Sequence, residues 1–354
     1  LQELTLMKRK VDPKKFMNYI SSQIVDDNMY YLLLDEIQNL GCFETVLNGY
    51  LRKKNMDIYV TGSNSKFLSR DVLTEFRGRG DEIHVLPLSF SEFYASYQDD
   101  TNYALDDYMI YGGLPAAALM KSSEQKMSYL KTQLKNLFIK DIVDRHHLGS
   151  DENLEELFDI IASGISSLTN PTKLSNTFKS VKNVSLSAPT INNYINYMEE
   201  AFIVSKAKKY DVKGKKYINT PYKIYFEDVG LRNARLNFRQ IEETHLMENI
   251  IYNDLLRRRY SVYVGVVYDR TNGSTLQKEI DFIVNDCDRK LYIQSTFRMD
   301  NDNKTSAELA SLMLAKDFFK KIIIRMDIPH HFYDENGILH CNLIDFLLGK
   351  VELF

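Results

Sequence analysis

The spacing of apolar and polar positions changes several times along the chain. Residues 12–24 place Phe16, Tyr19, Ile20 and Ile24 at helical spacing behind Asp12-Pro13, which predicts a capped helix. Tyr30-Tyr31-Leu32-Leu33-Leu34 is an unbroken apolar run ending in Asp35-Glu36, and it predicts a strand. A helix is predicted over 43–54, then a second strand, Asp57-Ile58-Tyr59-Val60-Thr61, running into Gly62-Ser63-Asn64. Ile83-His84-Val85-Leu86 predicts a further short strand. Strands alternating with helices imply parallel pairing in an α/β sheet, and runs this apolar imply cover on both faces.

Residues 88–166 read mostly as helix. Ser89-Phe90-Ser91-Glu92 has capping-box spacing, Tyr111-Gly112-Gly113-Leu114-Pro115 is a sharp break, and a long helix is predicted over 122–144. Between 167 and 226 one helix starts at Thr172 and another at Ser187-Ala188-Pro189-Thr190. Two strands follow, Phe202-Ile203-Val204 and Lys216-Tyr217-Ile218, around Lys213-Gly214. Helix, helix, two-stranded hairpin is the order of a winged helix-turn-helix. Residues 240–354 form a second α/β unit: a helix carrying Glu248, strands at 260–267, 279–284 and 290–296, a helix at 304–319 and a strand at 321–325. The expected domains are 1–97, 98–166, 167–238 and 239–354.

Composition narrows the classes. The chain has 354 residues, 44% hydrophobic and 26% charged, with a net charge of -3. That is ordinary globular composition, and the charge is too near zero to indicate a nucleic-acid or membrane partner by itself. Cys42, Cys287 and Cys341 are far apart, which fits a reducing, cytoplasmic setting and argues against a disulfide framework or a zinc site. No apolar run approaches the roughly 18 residues of a membrane span. His146-His147 and His330-His331 read as surface residues or as supports behind a site rather than metal ligands. The sequence opens at Leu1 in mid-pattern, so a fragment or the ordered part of a longer protein is expected.

An apolar strand ending in two acids is the pattern that holds Mg²⁺ and activates water in a P-loop ATPase, with a polar residue at the end of the neighbouring strand sensing the γ-phosphate. The phosphate-cradling G-x-x-x-x-G-K-[ST] is not among these residues. Several further motifs follow in order: Gly78-Arg79-Gly80, then Leu86-Pro87-Leu88-Ser89-Phe90-Ser91-Glu92-Phe93, then Tyr111-Gly112-Gly113-Leu114-Pro115. Together with Leu33-Leu34-Asp35-Glu36-Ile37-Gln38 and Thr61-Gly62-Ser63-Asn64, this ordered set resembles a large prokaryotic family of AAA+-like ATPases with a nuclease-like C-terminal region. The resemblance implies a partial P-loop sheet that uses ATP and Mg²⁺, with Asp35 as the Mg²⁺ residue, Glu36 as the catalytic acid and Asn64 as the sensor; the strand end by itself offers Ser63 as well. It implies that Arg79 stabilises transition-state charge in cis or from a neighbouring subunit; a salt bridge to Asp81 or Glu82 is the alternative.

Downstream, Lys206, Lys208, Lys209, Lys213, Lys215, Lys216 and Lys223 crowd the hairpin, with Tyr210, Tyr217 and Tyr222 among them. Such a hairpin suits phosphate contacts, with Asn192, Asn193 and Asn196 on the preceding helix; a packing module with a solvated lysine edge is the other reading. Glu248, Glu279-Ile280-Asp281 and the strand carrying Gln294 and Thr296 resemble a PD-(D/E)xK nuclease core. There Asp281 matches the metal-binding Asp, while Gln294 stands where a Glu belongs and Thr296 where the Lys belongs. A degenerate, restriction-endonuclease-like domain follows, unless Arg298 or Lys278 replaces the lysine in space. Three functions are carried forward: an ATPase gating an interaction of its C-terminal half, a DNA-binding protein or nuclease remnant with a regulatory ATPase, and a protein-interaction switch without nucleic acid.

Overall fold

The computed structural model describes residues 11–62, 80–97, 99–148, 152–182, 185–269, 275–299 and 302–354. Two compact units account for the chain: Leu1–Val85 with Glu200–Phe202, and Leu86–Glu199 with Ile203–Phe354.

In the first unit, Pro13 opens α1 (Pro13–Gln23), and Asp12 accepts the Lys15 N–H at 3.0 Å as its cap. β1 (Tyr30–Leu34) pairs in parallel with β2 (Met56–Val60), Tyr30 opposite Met56 and Leu34 opposite Val60. Helix α2 (Phe43–Tyr50) makes the crossover between them. One sheet face meets the helices around Phe16, Ile20, Leu34, Ile37, Phe43 and Leu47. The other face leaves Tyr31 65%, Leu33 71% and Tyr59 54% exposed. Cover on both faces, expected from the apolar runs, therefore holds for one face among the described residues. The expected strand at 83–86 pairs with no other strand there, and Pro87, which lacks an N–H, follows it.

The second unit begins with α3 (Phe90–Ala95), closed by the expected capping box: Ser89 Oγ accepts the Glu92 N–H at 3.1 Å and Glu92 accepts the Ser89 N–H at 2.7 Å. α4 (Thr101–Tyr111) stops at Gly112, whose φ of 72° suits glycine, and Pro115 starts the short α5 (Pro115–Ala118). The helix expected over 122–144 is divided into α6 (Ser123–Thr132), a π-helical stretch (Gln133–Ile139) and α7 (Lys140–His146). The wide turn adds one residue to the step between buried Leu134 and Ile139, which returns Ile139 and Ile142 to the inner face. Helices α8 (Glu152–Ser163), α9 (Pro171–Lys182) and α10 (Ala188–Glu200) follow.

The hairpin of β3 (Val204–Asp211) and β4 (Lys216–Phe226) departs from a free wing. β3 runs parallel to β5 (Ser261–Asp269) through Lys209–Val264, Tyr210–Gly265 and Asp211–Val266, so the hairpin belongs to one large sheet. After the hairpin come α11 (Val229–Arg235) and α12 (Glu243–Arg257). The sheet continues with β6 (Leu276–Asp286), β7 (Arg289–Thr296), β8 (Lys320–Arg325), β9 (Phe332–Tyr333) and β10 (Leu339–Asn342), in the order β4-β3-β5-β6-β7-β8-β10-β9. β5, β6 and β7 are antiparallel, and β8 and β10 extend β7 in parallel. α12 packs on one face through Leu246, Ile250 and Leu255 against Val264, Phe282 and Ile293. α13 (Asp302–Leu314) covers the other, where Leu312 meets Ile283 and Ile323, and it ends before the expected 319. The short α14 (Leu343–Leu347), capped by Asn342, follows β10.

Candidate functional site: an acid pair in one unit and a filled carboxylate pocket in the other

In the first unit, Asp35 and Glu36 stand directly after β1. Thr61, directly after β2, ties the two strand ends together. Its N–H donates to Leu34 O at 2.8 Å, its carbonyl accepts from Ile37 N at 3.0 Å, its hydroxyl accepts the Glu36 N–H at 3.2 Å and donates to Asp35 Oδ1. Glu36 has a φ of 52°, the left-handed region that costs a non-glycine residue energy and is found where the surroundings over-determine it. Its carboxylate accepts from the Gln38 side-chain amide. Asp35 is exposed. An exposed carboxylate beside a hydroxyl, on a rigid strand end, fits a magnesium ion that keeps most of its waters. Ser63, Asn64 and Arg79 lie outside the described residues. Thr61 is the participant that sequence reasoning did not single out. Its signal was a polar residue closing an apolar strand.

In the second unit, alternation along two strands builds a charged pocket. Lys223 and Tyr225 share one face of β4, and Glu279 and Asp281 share one face of β6. Glu248 of α12 closes the set. Lys223 Nζ lies 2.6 Å from Glu279 Oε1, 2.7 Å from Glu248 Oε1 and 3.5 Å from Asp281 Oδ1. The Tyr225 hydroxyl donates to the same Glu248 oxygen at 2.7 Å. Asp281 Oδ2 accepts from both Ser295 N at 2.8 Å and Ser295 Oγ at 2.9 Å. Gln294 sits beside the cluster, its side-chain oxygen accepting the Asp281 N–H at 3.3 Å, whereas buried Thr296 donates to Arg298 O at 3.2 Å.

The electrostatics follow from burial. Burial alone would lower the Lys223 pKa, but Glu248, Asp281 and Glu279 outweigh it and raise it, so the ammonium stays charged. Burial pushes Glu248 up to about 7 against the opposing pull of Lys223, and it raises Glu279 likewise. Burial, then the Glu248 carboxylate, holds the Tyr225 phenol well above its ordinary value, so it remains a neutral donor.

The structure thus brings together Glu248, Glu279, Asp281 and Gln294, and the lysine among them is Lys223 of β4. Of the two suggested replacements, Lys278 pairs with Asp269 at 3.5 Å, and the Arg298 guanidinium lies over the Phe297 ring. Lys223, one of the lysines expected along the hairpin, is 2% exposed. Its signal was a lone charge inside Tyr222-Lys223-Ile224-Tyr225-Phe226.

The remaining lysines divide. Lys208, Lys213 and Lys215 are exposed, and the Lys216 side chain lies outside what is described. Lys209 departs from an exposed basic row: it is 4% exposed, its pKa is lowered by burial against the attraction of Glu279, and the pairing of β3 with β5 turns it inward. Lys206 pairs with Glu199 at 2.5 Å and donates to Asn196 at 2.7 Å, which occupies one of the asparagines expected beside the hairpin's phosphate contacts. Among the described residues no helix is long and apolar enough to cross a membrane.

Two family models match this chain. One described as an AAA domain covers residues 2–94, and a domain of unknown function (DUF8612) covers residues 102–242. The chain is 34% identical over 327 residues to an uncharacterised protein of Haemophilus influenzae, spanning 90% of this chain and 77% of that one. It is 26% identical over 289 residues to an uncharacterised protein of Methanocaldococcus jannaschii, spanning 78% of this chain and 63% of the relative. Among solved structures it is similar to a Walker-type ATPase of Pyrococcus abyssi, with a TM-score of 0.42 at 13% identity over 67% of this chain and 71% of the other.

Proposed function

The chain belongs to the family of its Haemophilus influenzae relative, with an AAA-like segment over residues 2–94, and on that premise we propose that it is an ATP-binding, Mg²⁺-dependent ATPase whose hydrolysis gates an interaction of the C-terminal half. The observation that carries this is the pair Asp35-Glu36 at the end of β1, locked to the end of β2 by the Thr61 hydroxyl. Asp35 would hold the ion, which supplies charge neutralisation on the phosphates. Glu36 would accept the proton of the attacking water, and Asn64 or Ser63 would sense the γ-phosphate. Arg79 would stabilise transition-state charge, within one subunit or across an oligomer.

Support for the finer reading of the second unit comes from two arrangements. The order α9, α10, β3, β4 suits a winged helix fused to the sheet, and the meeting of Glu248, Glu279, Asp281 and Gln294 suits a degenerate restriction-endonuclease-like core. The test is ATP turnover by the natural full-length protein, including any residues ahead of Leu1, beside its Glu36→Gln variant. Turnover lost with ATP binding retained is the expected result. Equal turnover in the two removes Glu36 from the mechanism.

A second reading, DNA binding with a regulatory ATPase, draws on exposed Lys208, Lys213 and Lys215 near exposed Tyr217. Binding to duplex DNA that weakens with salt and is lost when these lysines become alanine supports it; no binding at modest salt removes it.

A further inference from the structure

Lys223 is a fully charged side chain in the interior, and nothing about packing a strand requires it there. An ammonium has three donors and no acceptor. Here they face three carboxylate oxygens from two elements, Glu279 and Asp281 on β6 and Glu248 on α12, at 2.6, 3.5 and 2.7 Å. A divalent cation would need those same oxygens at roughly 2.0–2.6 Å. The two cations cannot share them, because the nitrogen stands at their point of convergence.

We propose that Lys223 is the resident cation of this pocket, occupying the position a divalent metal ion would take, so that the second unit runs no metal-dependent phosphodiester cleavage while the ammonium is in place. The surrounding atoms are committed to that arrangement. The second oxygen of Asp281 is taken by the Ser295 backbone and hydroxyl, and the Tyr225 hydroxyl shares the Glu248 oxygen with Lys223. Gln294 brings a neutral oxygen where a further anionic ligand would be needed, and that oxygen accepts the Asp281 N–H. Among the described residues no group of three or more His, Cys, Asp or Glu side chains is arranged to hold a metal ion as the fold stands.

The charge balance gives the pocket its latent character. With Lys223 present, three acids face one buried ammonium, and Lys209 lies near enough to Glu279 to act on it. Without Lys223 the same carboxyl groups lose their counter-ion, and a hard divalent cation, competing with protons, can take its place. The inference concerns the second unit alone, so it stands or falls separately from the ATPase reading.

The experiment is a titration with Mn²⁺ alone, without nucleotide, followed by the electron paramagnetic resonance signal of free Mn²⁺. It compares the natural protein with Lys223→Ala, Asp281→Asn and the double variant. The expected result is that Lys223→Ala gains Mn²⁺ binding by at least about tenfold in affinity over the natural protein, and that adding Asp281→Asn abolishes the gain. Any Mn²⁺ held by Asp35 is common to all four proteins and cancels. Binding by the natural protein that Asp281→Asn removes overturns the proposal, since ammonium and metal would then coexist. A folded Lys223→Ala variant with no gain also overturns it. Should that variant fail to fold, Lys223→Gln is read in its place, and the natural protein beside Asp281→Asn still decides whether metal is excluded.

Discussion

Asp228 Oδ2 accepts the Gly113 N–H at 2.7 Å across 115 residues of chain, pinning the turn after α4 to the start of α11. The other oxygen caps α11 by accepting Leu231 N at 3.0 Å. The fit leaves no room for side chains at the turn. A Cβ on Gly112 would come within 2.2 Å of Asp228, one on Gly113 within 2.2 Å of the Leu88 carbonyl, and one on Gly230 within 2.1 Å of the Tyr111 carbonyl. Tyr111-Gly112-Gly113-Leu114-Pro115 is thus a docking surface between helices.

Gly113→Ala should destabilise the second unit by roughly 2–4 kcal/mol, because the obstacle is backbone, and Leu88 N also donates to the Gly113 carbonyl at 2.8 Å. Urea unfolding checks this. A midpoint unchanged from the natural protein would mean that the turn yields freely.

The same aspartate makes stability depend on pH. Burial raises the Asp228 pKa to about 6 despite the backbone N–H groups of Gly113 and Leu231, which pull it down. A carboxyl with a raised folded-state pKa favours the folded state most when protonated in both states. Its contribution is complete below about pH 4 and is lost as the pH rises through about 6, for a total of about 3 kcal/mol. Asp228→Asn cannot titrate, so between pH 4 and 7 it should lose less stability than the natural protein. Parallel pH profiles of the urea midpoint would show the group silent.

Thr61→Val keeps the shape of the residue after β2 but removes the hydroxyl that joins Asp35 to the Glu36 backbone. In the full-length protein, ATP turnover should fall on the order of tenfold, about 1.4 kcal/mol, with the unfolding midpoint held within about 0.5 kcal/mol because Thr61 is exposed. Unchanged turnover would make the hydroxyl a strand-end fastening and nothing more.

Local patterns were legible where local chemistry decides them. The Asp12 cap, the Ser89–Glu92 capping box and the parallel pairing of β1 with β2 follow from residues a few positions apart, or from two apolar runs joined by a helix. The acids of the pocket were legible through the resemblance of Glu248, Glu279 and Asp281 to a nuclease core, and Glu279 and Asp281 do share one face of β6 with Glu248 on α12. What escaped was non-local. The joining of β3 to β5 depends on edges that no spacing records, and that joining decides whether hairpin lysines face water or the interior. Spacing alone therefore puts Lys209 and Lys223 with Lys208, although the pleat separates them. The π-helical turn was invisible because the apolar positions on either side of it fit an unbroken helix nearly as well.

The fusion of hairpin and sheet also sets an order of events as the chain is made. β3 and β4 leave the ribosome before α12 and before β5, the strand that receives them. Lys223 emerges 58 residues ahead of Asp281, an interval of roughly 3–12 s at the usual pace of synthesis. During that time the lysine belongs in water, and it can enter the interior only once its acids have followed. Pairing of the Lys223 ammonium with the Glu279 and Asp281 carboxylates therefore waits for β6, and a nascent chain halted between α11 and α12 carries this cation without the acids that balance it.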